Sequence, residues 1–446
     1  MFDHQFSRAG ILWAQIVDFI QEADGEIATA LETFTARQLI RHPQLDAGQR
    51  KLLTYRFAIE GEISTQTPLE LFLASRPDLT LEDCQLIKSW RRSFVGLFAV
   101  VAIYPNGLEI MNWLTAKHYR IQFADVESQT AMTRLKVGEV IITQINPIEG
   151  IDWAILSPWV TLGRLGKPKL AVAVGAFRQN YPHYLYSDAP ETLDAAWASV
   201  SVYHDRFVEF FGSDEVTLTG KELGVRIGEF QTWLVDQQLK SAGIDQSKSL
   251  AELAEDAGVT PDDLQNLTST VLGLTDTPTT QGQTAAIEQM VPPNIELPPQ
   301  LKHSAAVTAL SHPHWGQMFL PDYAQIKELL ATLTTQPFTP AEVSSLQKAL
   351  ADPQMNAFVW RRLAGEFPQQ LEIAIGQIPG QTGFNLSTDL DSILTKFNKY
   401  LEPDLPDLAS VPIHLHHLFR SAVLEVSKDK AKSKSQPKKT GFGGKS

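Results

Sequence analysis

One cysteine, Cys84, is all that 446 residues supply. That count excludes an intramolecular disulfide and a zinc site built from cysteines. Cys84 falls on the stripe Leu81, Cys84, Ile87 and Trp90 of a predicted helix, where a thiol reads as a small buried hydrophobe rather than a nucleophile. Long apolar runs are missing too: none approaches the ~20 residues that a bilayer-spanning helix needs. The first ten residues, MFDHQFSRAG, carry neither a basic n-region nor a cleavage site. The expectation is a soluble cytoplasmic protein with no transmembrane segment. Positive charge is in short supply, with 38 Lys and Arg against 51 Asp and Glu and a formal net charge of −13. The last twenty residues hold seven lysines and one aspartate, a local +6, which leaves −19 for the rest. An acidic body repels nucleic acid and anionic membranes, so any such binding falls to the tail or to a local patch.

Signatures of catalysis are absent as well. No Gly-x-Gly-x-x-Gly follows a strand, and no Gly-x-Ser-x-Gly elbow occurs. Gly444-Lys445-Ser446 ends the chain with no helix behind it to present a dipole to phosphate. The carboxylate pairs Glu60/Glu62 and Asp262/Asp263 read as solvated charge on helices and turns. Arg91-Arg92, beside Trp90 and Phe94, has the chemistry to stack a base. The helix macrodipole accounts for two arginines at a helix C-terminus equally well. The histidines are the remaining temptation: His312 and His314 form one His-x-His, and His414 and His416, followed by His417, form another. Metal binding requires imidazoles converging to about 2 Å from one ion. The second cluster opens a predicted helix, where side chains at i and i+2 diverge. Surface and helix-start roles are favoured for both pairs, and no metal, cofactor or catalytic residue is expected.

What is present builds cores. The apolar share is 43%, with 9 Trp and 22 Phe. Phe6–Ile40 carries apolar residues at spacings of three and four, broken at Asp24-Gly25, and predicts N-terminal helices over 1–45. An α+β core domain is expected over 46–242. Within it, Thr67-Pro68-Leu69-Glu70 spells an N-cap, a proline at the first helical position and a capping box. At Phe94–Tyr104 (FVGLFAVVAIY) the pattern changes to β-branched and aromatic residues, too many for one flat strand. Pro105-Asn106-Gly107 is turn chemistry, read as positive φ at Asn-Gly and a hairpin back through Leu108. Strands follow at 117–123, 137–145 and 151–156, giving a small, curled antiparallel sheet under the preceding helices. Leu170–Val174 fits a strand or a buried helix. Helices are expected at Thr192–Phe211 and Lys221–Leu239.

Residues 243–274 read as a helical hairpin. Leu253, Ala254, Ala257, Gly258, Leu264 and Leu267 match the core of a helix-turn-helix, but 244–272 holds one lysine against six acids, which phosphate would repel. Residues 275–304, rich in Thr, Gln and Pro, read as a linker. Residues 305–426 read as a separate all-α domain of short, proline-punctuated helices with no consistent repeat period. Residues 427–446 read as a Lys-rich disordered tail.

Several of these words carry a likeness. Thr67-Pro68-Leu69-Glu70-Leu71-Phe72-Leu73, Ser89-Trp90, Ser93-Phe94, Leu97-Phe98 and Val100 resemble a domain of bacterial proteins, some of which end in a SEC-C motif. So do Gly107-Leu108-Glu109-Ile110, Tyr119-Arg120-Ile121, Gly138-Glu139-Val140 and Pro147-Ile148-Glu149-Gly150. The resemblance covers roughly a quarter of the chain and implies a helical lead-in feeding a small β domain. The Cys-Pro-Cys-Gly run of the SEC-C tail is missing, so zinc binding does not carry over. The lysine-rich ending with Thr440-Gly441-Phe442-Gly443 is similar to the tails of conserved cyanobacterial proteins.

The function expected from these features is non-enzymatic: a protein–protein interaction scaffold or assembly factor, with other proteins as partners. The alternative is a nucleic-acid-associated regulatory protein. Lys428, Lys430, Lys432, Lys434, Lys438 and Lys439 would then supply its contacts.

Overall fold

Phe94–Tyr104 (β1) is one strand of eleven residues, and the first half of the chain closes around it. The computed structural model describes residues 4–41, 47–123, 126–132, 134–241, 290–332, 339–381 and 383–435. Two compact units are formed, one by 1–190 with 414–446 and the other by 191–413.

In the first unit, β1 pairs through Phe94–Ala99 with Glu139–Glu149 (β4), and through Phe98–Tyr104 with Gly107–Asn112 (β2). A bulge between Val100 and Ala102 bends the strand so that it serves both neighbours. His118–Gln122 (β3) pairs antiparallel with β2, and Asp152–Ala154 (β5) lies parallel to β3 and antiparallel to β4. The ring β1-β2-β3-β5-β4-β1 is therefore closed, and Val160–Arg164 (β6) extends it along β4. With β4 beside β1, the first four strands form a Greek key. The expected curled sheet is a closed barrel of mixed pairing, not a purely antiparallel sheet.

The barrel interior is aromatic. Tyr119 sits 5.3 to 5.9 Å, centroid to centroid, from Phe94, Phe98 and Trp153. Room for Phe98 comes from Gly96, where a Cβ would run into the Phe98 ring. Gly107 is required for a different reason from the one its sequence suggests. Neither Asn106 nor Gly107 has positive φ. A Cβ at Gly107 would instead strike the Ile121 carbonyl oxygen on β3.

Helices His4–Gln21 (α1), Glu26–Arg41 (α2), Ala47–Glu60 (α3), Pro68–Ser75 (α4) and Leu81–Ser89 (α5) pack against one another around a core that includes Leu12, Ile16, Phe57, Phe72 and Ile87. Trp13 and Trp90 meet edge to face at 4.9 Å within it. Gly25, at φ +68°, makes the break between α1 and α2. The Thr67–Glu70 capping box forms as expected, and Thr80–Asp83 forms a second. Arg8 clamps α1 onto α5 through two bonds to the Asp83 carboxylate, at 2.8 and 2.7 Å. Val126–Met132 (α6) joins β3 to β4, and Lys167–Asn180 (α7) settles the ambiguous 170–174 stretch as helix.

The second unit has three layers. Glu215–Leu218 (β7), Val307–His312 (β9) and Gly316–Leu320 (β10) form a sheet in the order β10-β9-β7. Pro190–Phe211 (α8) and Gly220–Ser241 (α9) cover one face; Tyr203 of α8 donates to Gln317 there, beside Ser311. Leu310 and Leu320 bury the other face against helices 323–332 (α10), 340–351 (α11), 357–366 (α12), 368–376 (α13) and 386–396 (α14).

Four boundaries differ from the sequence reading, the first being that the core expected over 46–242 is divided after Pro190. The span 305–426 is not all helix, because it opens with the β9–β10 hairpin, whose partner β7 lies almost a hundred residues upstream. Within the expected linker, 275–289 lies outside the described residues, while Met290-Val291 (β8) pairs with Val411-Pro412 (β11) and Leu297 and Leu301 are buried. Pro292, Pro293, Pro298 and Pro299 thus lie in a packed segment. The C-terminal helix Ile413–Ser435 (α15) continues past Val426, after which the tail is expected to begin. The hairpin expected over 243–274 lies outside the described residues.

Candidate partner-binding site

At one corner of the barrel, apolar side chains face solvent. The register of β1 with β4 stops at Ala99↔Val140, whereas its register with β2 runs on to Tyr104↔Gly107. One further bond, from Gly138 N–H to the Val100 carbonyl (2.8 Å), ends the contact on the β4 side. Val101 and Val137 each stand one residue from that bond. They are 37% and 48% exposed, and Ile103 and Tyr104 beyond them are 37% and 50% exposed. Exposed aliphatics grouped on a strand edge are unusual for a soluble surface and mark places of association.

The charges around this edge oppose those of the chain. Residues 134–139 and 164–172 contain Arg134, Lys136, Arg164, Lys167 and Lys169 against a single carboxylate, Glu139. All five cations are exposed, and none has a carboxylate within ion-pair distance among the described residues. Arg164 ties the two segments together by donating to the Val137 carbonyl (3.1 Å). The turn places the charges: Glu139 accepts from Lys136 N–H (3.1 Å), and Gly138 takes φ +86°.

A five-stranded Greek-key barrel is also the architecture of oligonucleotide- and oligosaccharide-binding folds, which bind across strands 2 and 3 and the adjoining loops. Here the outer face of β2 and β3 is occupied by its own pairs. Glu109 meets His118 Nδ1 at 2.6 Å and accepts from Tyr104 O–H at 3.2 Å. Arg120 lies 3.5 Å from Asp152, which also accepts from Gln122 (2.9 Å). The adjoining loops are two-residue turns, Pro105-Asn106 and Gly150-Ile151. Architecture alone assigns no ligand.

The histidines are placed elsewhere. His312 ends β9 and His314 lies in the β9–β10 turn of the second unit, while His414 and His416 lie on α15 in the first. His312 Nδ1 accepts from the backbone N–H of His314 and of Trp315, both at 3.1 Å, so that nitrogen closes the turn. Burial pushes His312 down to about 4, with His204 and His314 adding repulsion. His414 donates through Nε2 to the Trp113 carbonyl (2.8 Å), and burial lowers its pKa. Among the described residues no three His, Cys, Asp or Glu side chains are grouped to hold a metal ion. Lys428, Lys430, Lys432 and Lys434 fall on the helical backbone of α15, and Lys438 and Lys439 lie outside the described residues.

Two further polar clusters are structural in their geometry. His204 Nδ1 approaches Ser311 Oγ at 3.1 Å, an arrangement that invites a nucleophile reading. Ser311 is 1% exposed beneath α8, and the nearby Asp214 carboxylate is held by Arg362 at 2.5 Å. In the first unit, Arg56 is 3% exposed, paired to Glu60 at 2.6 and 2.9 Å and set against the rings of Phe34, Tyr181 and Tyr184. Tyr184 donates to the same carboxylate, so every charge there is matched from within.

Comparison of the chain with protein-family models, with curated proteins and with solved structures finds no match.

Proposed function

We propose that this chain is a non-enzymatic interaction protein, a scaffold or assembly factor that captures a partner protein at the barrel corner. The supporting observation is the group Val101, Ile103 and Val137, exposed at a strand edge, with Lys136 next to Val137 in the chain and Arg164 bound to the Val137 carbonyl, in a chain of net charge −13. Apolar residues at the centre of a contact exclude water and supply affinity, and surrounding charges select the partner and speed encounter.

Affinity capture with the full-length chain, beside the double variant Lys136→Glu/Val137→Asp, tests this reading. Both side chains are exposed, so the variant keeps its fold. The expected result is a defined protein set held by the natural chain and lost from the variant. Retention of the same proteins by both forms overturns the assignment of the surface. Recovery of nucleic acid in place of protein, lost on truncation at Val426, favours a tail-driven polyanion binder instead.

A further inference from the structure

We infer that the partner reaches this corner as an extended, acidic segment that pairs with β1 at Ile103 and lengthens the barrel wall by one strand. The inference rests on the partner-binding reading above and adds the form and charge of what binds.

Backbone geometry calls for a strand. Tyr104 and Gly107 close the two-residue hairpin, so the Tyr104 amide and carbonyl face β2. In an antiparallel ladder these groups alternate sides, which turns those of Ile103 away from β2 toward the edge that β4 has left. Past Val100, no backbone bond crosses that edge among the described residues. An extended segment answers such groups with its own amides and sets alternate side chains on Val101, Ile103 and Val137.

Charge selects the segment. Lys136 and Arg164 at the edge, with Arg134, Lys167 and Lys169 in the same two segments, would repel a basic strand and attract carboxylates flanking a short apolar run. A single-stranded nucleic acid fits less well, because it needs aromatic platforms for its bases. The one ring at the edge, Tyr104, is bound through its hydroxyl to Glu109.

The test uses the full-length chain and a fluorescein-labelled peptide with valine at alternate central positions and glutamates at both flanks. Two companion peptides carry lysine flanks, or the acidic flanks with N-methyl groups on alternate central residues. Fluorescence anisotropy is expected to show the acidic peptide binding at least tenfold tighter than either companion, since N-methylation removes the strand-pairing donors. Lys136→Glu/Lys167→Glu is expected to weaken it by a similar factor. Equal binding of the acidic and lysine-flanked peptides overturns the inference, as does indifference to N-methylation, or displacement of the acidic peptide by an oligouridylate. If the natural chain loses its captured proteins with Val137→Asp yet ignores all three peptides, the surface stands and the strand inference falls. If capture is indifferent to Val137→Asp, the functional reading falls with it.

Discussion

Gly96 shows how much a single position can decide. It lies on β1 on the inward face, and the space a Cβ would take is filled by the ring of Phe98, itself fully buried. The ring cannot swing away without disturbing Tyr119, 5.9 Å off. Gly96→Ala is expected to cost about 1–3 kcal/mol by overpacking, read as a lowered denaturation midpoint. Gly25→Ala, with nothing within 4 Å of the added carbon, carries only the backbone cost of φ +68°. The Arg8–Asp83 clamp makes the second prediction at this scale. Asp83 is 5% exposed, and its hydrogen bonds to Arg8, against the cost of burial, hold its carboxyl down to about 2. A carboxylate whose folded pKa is depressed adds stability that is complete above its unfolded value, about 3.9, and is lost as pH falls through 4 toward 2. Asp83→Asn is therefore expected to cost about 2 kcal/mol at pH 7. Most of that difference should be gone near pH 2, where the natural carboxylate is about half protonated; denaturant midpoints at the two pH values check this.

Among the elements, α4 illustrates a helix whose ends were written locally. Thr67 accepts from Glu70 N–H, Glu70 accepts from Thr67 N–H at 2.7 Å, and Pro68 occupies the first turn. Thr67→Ala is expected to cost about 1 kcal/mol, seen as a small drop in midpoint with the unfolding slope unchanged. Helices 340–351 and 368–376 were equally legible because Pro340 and Pro368 mark their starts. Pro353, by contrast, opens no helix: the next one begins at Ala357, where Asn356 caps it by accepting from Val359 N–H at 3.2 Å. Strands fared less evenly. β1 and β2 announced themselves through a β-branched run and a turn. β7, β9 and β10 did not, because VTALSH and GQMFL are too short and mixed to outvote the helical pattern around them. The candidate site was hidden for a related reason. A continuous apolar run does not reveal which of its residues lose cover, and its five cations are dispersed over 134–169.

For the whole molecule, the two cores share no residue, so each unit is expected to unfold around its own centre. Phe57→Ala in the first and Leu363→Ala in the second each truncate a side chain of zero exposure, at about 3–5 and 2–5 kcal/mol. Calorimetry is expected to show each variant displacing a different part of the unfolding profile. Displacement of a single common transition by both would mean that the units unfold as one. Acid should erode both units, since Asp83 in the first and Asp214 in the second are held below their ordinary range by Arg8 and Arg362 respectively.

Composition and local pattern alone determined the mixed α+β class, the N-terminal helices with their break at Gly25, the capping box at Thr67 and the β1–β2 hairpin. Each follows from forces acting within a few residues: apolar periodicity, side-chain caps and turn chemistry. Only the tertiary structure decided that the sheet closes, because β1–β4 and β3–β5 join residues tens of positions apart. The same holds for the division near Pro190 and the return of the chain from His414 to the first unit. Proline content marked 275–304 as irregular, yet Leu297 and Leu301 are buried by neighbours that no local pattern names. The exposed edge at Val101–Tyr104 belongs to this second class: it exists because β4 ends its pairing before β1 does.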